Sequence, residues 1–151
     1  MFTPAAEATS ASVSGEPIRI GRQSASSRRI AAARAIAPHM APTPLIRSEI
    51  LSRVFKGEVW LKNETTTPIA SFKLRGAYNK ISGLTPSQAA PGVIAASAGN
   101  HAQGVALSAH KLGIKAQVVM PQTTPEIKVN AVQRWGARTI LHGDTYDEAE
   151  A

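Results

Sequence analysis

The 151-residue chain has no cysteine, a hydrophobic fraction of 43%, a charged fraction of 18% and a formal charge of +7, values that suit a soluble globular chain with one modest core. Without a thiol there is no disulfide, no thiolate metal site and no cysteine nucleophile, in keeping with a reducing cytoplasm. The positive charge does not mark a nucleic-acid partner: eight Lys/Arg face three Asp/Glu up to Lys56 and nine face seven thereafter, with no basic stripe interleaved with aromatics, and no apolar run approaches the ~20 residues that cross a membrane.

Residues 1–26 are rich in Ala and Ser, with Glu7 and Glu16 as their only acids, and read as a disordered tail without the apolar centre of a secretory signal. From Ser27, the spacing of Ile30, Ala33 and Ala37 predicts a short amphipathic helix stopped by Pro38. Leu45, Ile46, Ile50, Leu51 and Val54 again approach helical period, predicting a second helix packed on the sheet that follows. Beyond this the pattern alternates. Strands are expected at 59–64, 92–97, 115–121 and 138–142, and helices at 72–82, 100–112, 125–135 and from Tyr146. Such a βα repeat implies an α/β fold, a mostly parallel sheet with helices on both faces, whose ligands lie beyond the carboxyl ends of the strands. Thr124, Pro125 and Glu126 supply a hydroxyl cap, a first-position proline and a carboxylate for one helix, which Gly136 ends.

Two constellations could carry chemistry. In SFKLRGAYNKI, residues 71–81, the buried stripe of a helix is Leu74, Ala77, Tyr78 and Ile81, with Ser71 as its cap. Lys73 then falls in the first turn, where a cation opposes the helix dipole, a local violation of the kind found at functional sites. From spacing alone, a solvated surface lysine is the favoured reading. A lysine that captures an aldehyde must be partly neutral, through burial or neighbouring positive charge. In SAGNHAQG, residues 97–104, a buried strand turns into a helix whose packed face is Ala102, Val105, Ala106, Ala109 and Leu112. Ser97, Gly99, Asn100 and His101 surround its start. Free backbone N–H groups there suit a carboxylate, although ordinary strand-to-helix punctuation would look the same. The spacing is neither GxGxxG nor GxxxxGK[ST]. The histidines at 39, 101, 110 and 142 form no ligand pair with carboxylates, so no metal site is expected.

In order and in register, TPL (43–45), LKNE (61–64), SFKLRGA (71–77), SAGNHAQGVA (97–106) and VVMPQTTPEIKVNAVQRWGA (118–137) resemble the threonine/serine dehydratases, or threonine ammonia-lyases, of the fold-type II pyridoxal-phosphate enzymes. The resemblance implies pyridoxal 5'-phosphate as cofactor. It makes Lys73 the lysine that forms the internal aldimine and moves the substrate α-proton, and Phe72 the aromatic packed on the cofactor ring. Asn100 becomes the partner of the phenolic oxygen, and Ser97, Gly99, Asn100 and His101 the loop that receives the substrate carboxylate. The implied reaction is α,β-elimination from a hydroxy-amino acid, L-threonine giving 2-oxobutanoate and ammonia. Similar serine racemases carry a serine in place of Ala98, so a dehydratase is favoured over a racemase. Serine or hydroxyaspartate dehydratase, threonine synthase and a non-catalytic remnant stay open. Members of the family are about twice this length or more, and their glycine-rich phosphate loop has no counterpart among the eleven glycines, none of which adjoins another. Residues 27–151 are therefore expected to be the amino-terminal part of such an enzyme, inactive alone and exposing apolar surface, the full-length protein being a homo-oligomer.

Overall fold

A computed structural model of the chain describes residues 2–3 and 24–150. The central sheet begins where the sequence switches to small β-compatible apolar residues. Val93–Ala96 (β4) and Ala116–Met120 (β5) alternate buried and half-buried along their length, as strands with one fully covered face do. They run parallel, and Arg138–Leu141 (β6) continues the parallel set beside β5. At the other edge a two-residue strand, Phe2–Thr3 (β1), pairs antiparallel with β4. Of the expected amino-terminal tail, only this strand and Ser24 to Ser26 fall within the described residues.

Each step from β4 to β5 to β6 moves in the same direction across the sheet, so right-handed crossovers place both intervening helices on one face. These are Asn100–Leu112 (α5) and Glu126–Gln133 (α6). Lys73–Ser82 (α3) packs outside α5. The main core lies between them: Ala77 and Ile81 from α3, Ala102, Val105 and Ala109 from α5, Val118 and Met120 from β5, and Val132 from α6. The opposite face of the sheet carries the half-buried Ile94, Ala96, Gln117 and Val119. Tyr146–Glu150 (α7) leans on β4 and β5 there.

After the short helix Pro86–Ala89 (α4), Gly92 lets the chain enter β4. Its φ is +92°, and a β-carbon would lie 2.7 Å from the carbonyl oxygen of Lys115, which accepts the Val93 amide at 2.8 Å. Only glycine adopts that conformation without strain and without collision.

Several expectations are corrected. Residues 45–55 are not one helix: Leu45–Arg47 (β2) is a strand, followed by the short helix Glu49–Val54 (α2) capped by Ser48. The expected strand at 59–64 is shorter, Trp60–Lys62 (β3), and lies outside the parallel sheet. It pairs antiparallel with β2, Ile46 opposite Leu61 and Arg47 opposite Trp60. The physical reason is non-local pairing: the Ser48 amide donates to the Val59 carbonyl oxygen at 2.9 Å and the Asn63 amide to that of Pro44 at 2.8 Å, so the antiparallel pairing extends past both ends of the two strands. Nor do the apolar residues of this segment pack on the sheet. Leu45, Ile46, Ile50, Val54, Phe55, Trp60 and Leu61 are all exposed.

The first helix forms over Ala25–Ile36 (α1), its Ser24 hydroxyl accepting the Ser27 amide at 3.1 Å, but no residue of it is buried. Its apolar side is mostly alanine, which offers little area to bury. Contact with α3 is made near its end, where the His39 and Tyr78 rings lie 4.9 Å apart. The capping residues also differ. Phe72 takes the N-cap position of α3 instead of Ser71, and Pro125 that of α6 instead of Thr124, neither with a side-chain cap. The Thr124 hydroxyl is buried and has no hydrogen-bond partner among the described residues. Helix α6 ends at Gln133, three residues before Gly136.

Candidate active site

The two sequence constellations meet through the packing of α3 on α5. Gly104, one turn into α5, faces the backbone of Lys73: a β-carbon there would stand 3.2 Å from the Lys73 carbonyl oxygen and 3.3 Å from its carbon. Asn100 lies one turn earlier on the same helix, about 6 Å closer to the amino end at 1.5 Å per residue. The first turn of α3 is thus seated one turn into α5, near the carboxyl end of β4.

Lys73 is the first helical residue of α3 and is exposed. Its Nζ stands 5.1 Å from the centroid of the Phe72 ring, within range of a cation–π contact. Phe72 is 62% exposed, so the pair offers a flat apolar ring and a primary amine side by side. The turn before α3 is tightly fastened. The Thr67 hydroxyl accepts the Ser71 amide at 2.9 Å and lies 3.0 Å from the Ser71 carbonyl oxygen, and the Ser71 hydroxyl accepts the Lys73 amide at 3.3 Å.

On the α5 side, Ser97 continues β4 by donating its amide to Val119 at 3.0 Å, and its hydroxyl accepts the Gly99 amide at 3.3 Å. Gly99 is the N-cap of α5, without a side-chain cap, and a β-carbon on it would meet open space. The amino end of a 13-residue helix is therefore open to an approaching anion. Asn100 is exposed and His101 half-buried at this end. Burial, reinforced by neighbouring positive charge including Lys73, holds the His101 imidazole below its ordinary pKa.

All six expected site residues thus belong to one edge of the molecule, Phe72 and Lys73 on α3 and Ser97, Gly99, Asn100 and His101 at the start of α5. Of these six, Phe72 also lines a cleft of about 440 Å³, together with Ile46, Leu61, Glu64, Ala70 and Ser71 among others. Among the described residues no cluster of His, Asp and Glu could hold a metal ion, and no helix is long and apolar enough to cross a membrane.

Sequence reasoning passed over a polar network that braces this edge. Arg75 donates through Nε to the Glu64 carboxylate at 2.8 Å, Thr43 donates its hydroxyl to the same carboxylate at 2.6 Å, and Lys62 reaches the Thr43 carbonyl oxygen at 2.5 Å. The Arg75 hydrogen bond holds the Glu64 carboxyl below its ordinary pKa, helped by Thr43 and Lys62 and opposed by desolvation. All four residues lie in or beside the recognised motifs, yet a partnership between residues 43 and 75 leaves no periodic trace. Gly104 was legible as a glycine inside a helix, a position that costs stability unless another backbone comes close.

An exposed lysine amine, an adjacent aromatic ring and an open helix amino end suit an aldehyde cofactor with a flat ring and an acidic substrate. The chain belongs to the pyridoxal-phosphate dependent enzyme family, whose sequence pattern it matches over residues 36–151. More particularly, it is 58% identical over 109 residues to L-threonine dehydratase biosynthetic IlvA of Haemophilus influenzae, an alignment covering 72% of this chain and 21% of the relative. Among solved structures, the processed form of threonine deaminase isoform 2 from Solanum lycopersicum superposes with a TM-score of 0.70 at 42% identity, covering 82% of this chain and 36% of that one. Maize serine racemase gives 0.74 at 34% identity, covering 80% and 37%. The chain spans about a fifth of the length of the curated relatives it matches.

Proposed function

We propose that the chain contributes the lysine-bearing part of a pyridoxal-phosphate-dependent lyase that releases ammonia from a hydroxy-amino acid by elimination of water and its return on hydrolysis, L-threonine giving 2-oxobutanoate and ammonia. The observation that carries this reading is the seating of Lys73 against Gly104, which brings a primary amine and the open amino end of α5 to the same edge. The 58% identity to a threonine dehydratase supports the choice of substrate.

The residues present fit the aldehyde, the ring and the phenolic oxygen of the cofactor, though not its phosphate. Lys73 would hold it through the ε-amine, with Phe72 packed on its ring and the Asn100 amide donating to its phenolic oxygen. When bound, pyridoxal phosphate supplies an electron sink that stabilises charge developing at the substrate α-carbon. The protein's share is orientation and proton handling. Backbone N–H groups at the start of α5, with Ser97, Gly99, Asn100 and His101 around them, would receive the substrate carboxylate. The Lys73 amine, once released, would take the α-proton at Nζ. Loss of the β-hydroxyl with a proton as water, followed by hydrolysis of the unsaturated amine, returns that water and leaves the oxo acid and ammonia. Ala98 carries no exchangeable proton, which favours elimination over racemisation.

The 151 residues alone are proposed to be catalytically silent. Their exposed Ile46, Leu61 and Phe72 line a cleft with no cover among the described residues. A cytoplasmic setting is proposed, with which the lack of cysteine is compatible. The test is a direct assay for oxo-acid release from L-threonine and L-serine with added pyridoxal phosphate. No turnover by the 151-residue chain is expected, together with turnover that prefers threonine when the chain is joined to the remaining length of a dehydratase relative. Racemisation without oxo acid by the joined protein would replace this reading with a racemase.

A further inference from the structure

The loop before α3 is fastened by a residue to which the proposed chemistry gives no role. Helix α3 starts without a side-chain cap, since Phe72 already has helical dihedrals of −63° and −17°. The position of Lys73 must be fixed from elsewhere. Thr67 does this through one hydroxyl. Its oxygen accepts the Ser71 amide at 2.9 Å, and its proton is shared between the carbonyl oxygens of Ser71 and Glu64, both at 3.0 Å. Ser71 is buried, and its own hydroxyl accepts the Lys73 amide. An unbroken chain of hydrogen bonds therefore runs from Thr67 through Ser71 to the lysine.

Two further features show that the loop is held in this shape. Ala70 has φ +50°, the left-handed region that a residue with a β-carbon enters only under constraint. That turn directs the Ser71 amide back at Thr67, while the Ala70 amide donates to the Thr67 carbonyl oxygen at 2.8 Å. On the far side of the lysine, Arg75 is tied to Glu64, at the start of the same loop. Lys73 thus projects from a segment anchored two residues before and two residues after it.

We infer that Thr67 is a positioning residue for Lys73: its hydroxyl, bonded to the backbone of Ser71, sets the direction in which the lysine amine leaves α3. This rests on the reading that Lys73 takes the cofactor. Thr67→Val keeps the branched shape and removes the hydroxyl, Thr67→Ala removes both, and Thr67→Ser restores the hydroxyl.

The 151-residue chain and its variants would be treated with pyridoxal phosphate and borohydride, and the label mapped by peptide. Amide exchange of Ser71 would be followed by mass spectrometry, with β5 as the control for overall unfolding. Losing one hydrogen bond should lower labelling of Lys73 roughly fivefold in the Val and Ala variants. Labelling of Lys111 and Lys115 should stay unchanged, Ser71 exchange should quicken while β5 does not, and the Ser variant should recover both readouts. Unchanged Lys73 labelling and unchanged Ser71 exchange in both hydroxyl-free variants would overturn the inference. A wild-type chain that never labels at Lys73 would overturn the cofactor reading instead, and Ser71 exchange would still report whether Thr67 governs the turn.

Discussion

Replacing Gly104 with alanine puts the contact between α3 and α5 to a quantitative test. Alanine in a helix interior gains about 0.9 kcal/mol over glycine from backbone propensity alone. Against this, the new methyl would stand 3.2 Å from the Lys73 carbonyl oxygen, 3.3 Å from its carbon and 3.4 Å from the Leu74 nitrogen. All three are backbone atoms of a helix, so no rotamer change relieves the contact and α3 must retreat by a few tenths of an ångström. Inserting a methyl into a packed interface costs roughly 1–3 kcal/mol, so the net change should be a loss of about 1 kcal/mol, with the gain in propensity already subtracted. Urea denaturation followed by circular dichroism should show a lower midpoint with an unchanged slope. Lys73 moves with its helix, so its labelling should fall as well. A Gly104→Ala chain that is more stable than the parent by the full propensity difference would mean that the helices do not meet at this point.

Four other outcomes follow from single contacts. Gly92→Ala combines a strained φ of +92° with a β-carbon 2.7 Å from the Lys115 carbonyl oxygen; it should cost upwards of about 3 kcal/mol, seen as loss of the cooperative unfolding transition, and a near-native midpoint would contradict the described entry to β4. Ala70→Gly should raise stability by about 0.5–1 kcal/mol, the relief of left-handed strain less the entropy of glycine, measured by the same urea titration, where a lower midpoint would count against the strain. The Glu64 carboxyl is depressed in the folded chain, so its contribution is complete above the unfolded value near 4.3 and is lost as pH falls through the folded value; the stability gap between the parent and Glu64→Gln should be about 1 kcal/mol near neutrality and should close in acid, whereas a gap independent of pH would remove the ion pair from the account. The His101 imidazole, held low mainly by burial, should titrate below 6.5 by proton NMR, and a midpoint at or above that value would place it in water or beside an acid.

Much of the parallel half of the fold was legible because it is written in local patterns. The helix at 100–112 occupies the expected residues, and β4, β5 and β6 each fall within one or two residues of expectation. Alternation of apolar residues and the glycines between elements carry that information directly. The front of the chain was misread where apolar spacing alone cannot separate helix from strand. Leu45, Ile46, Ile50, Leu51 and Val54 fit a helical stripe, yet β2 captures the first two through pairing with β3, a non-local event. The site divides similarly. Lys73 and the loop at 97–101 are only weakly marked by local chemistry and are singled out by the resemblance of their motifs, whereas Thr43, Glu64, Thr67 and Arg75 matter through contacts across loops, in the case of Thr43 and Arg75 across 32 residues.

The central claim is that Lys73 is the residue that takes the cofactor, and a mapped borohydride trap addresses it most directly. The chain offers six other lysines as internal competitors, Lys56, Lys62, Lys80, Lys111, Lys115 and Lys128. With limiting pyridoxal phosphate, the account predicts label concentrated on Lys73 and abolished there by Lys73→Ala without a compensating rise elsewhere. Label distributed over the other lysines, with Lys73 no more reactive than Lys80 on the same helix, would contradict it.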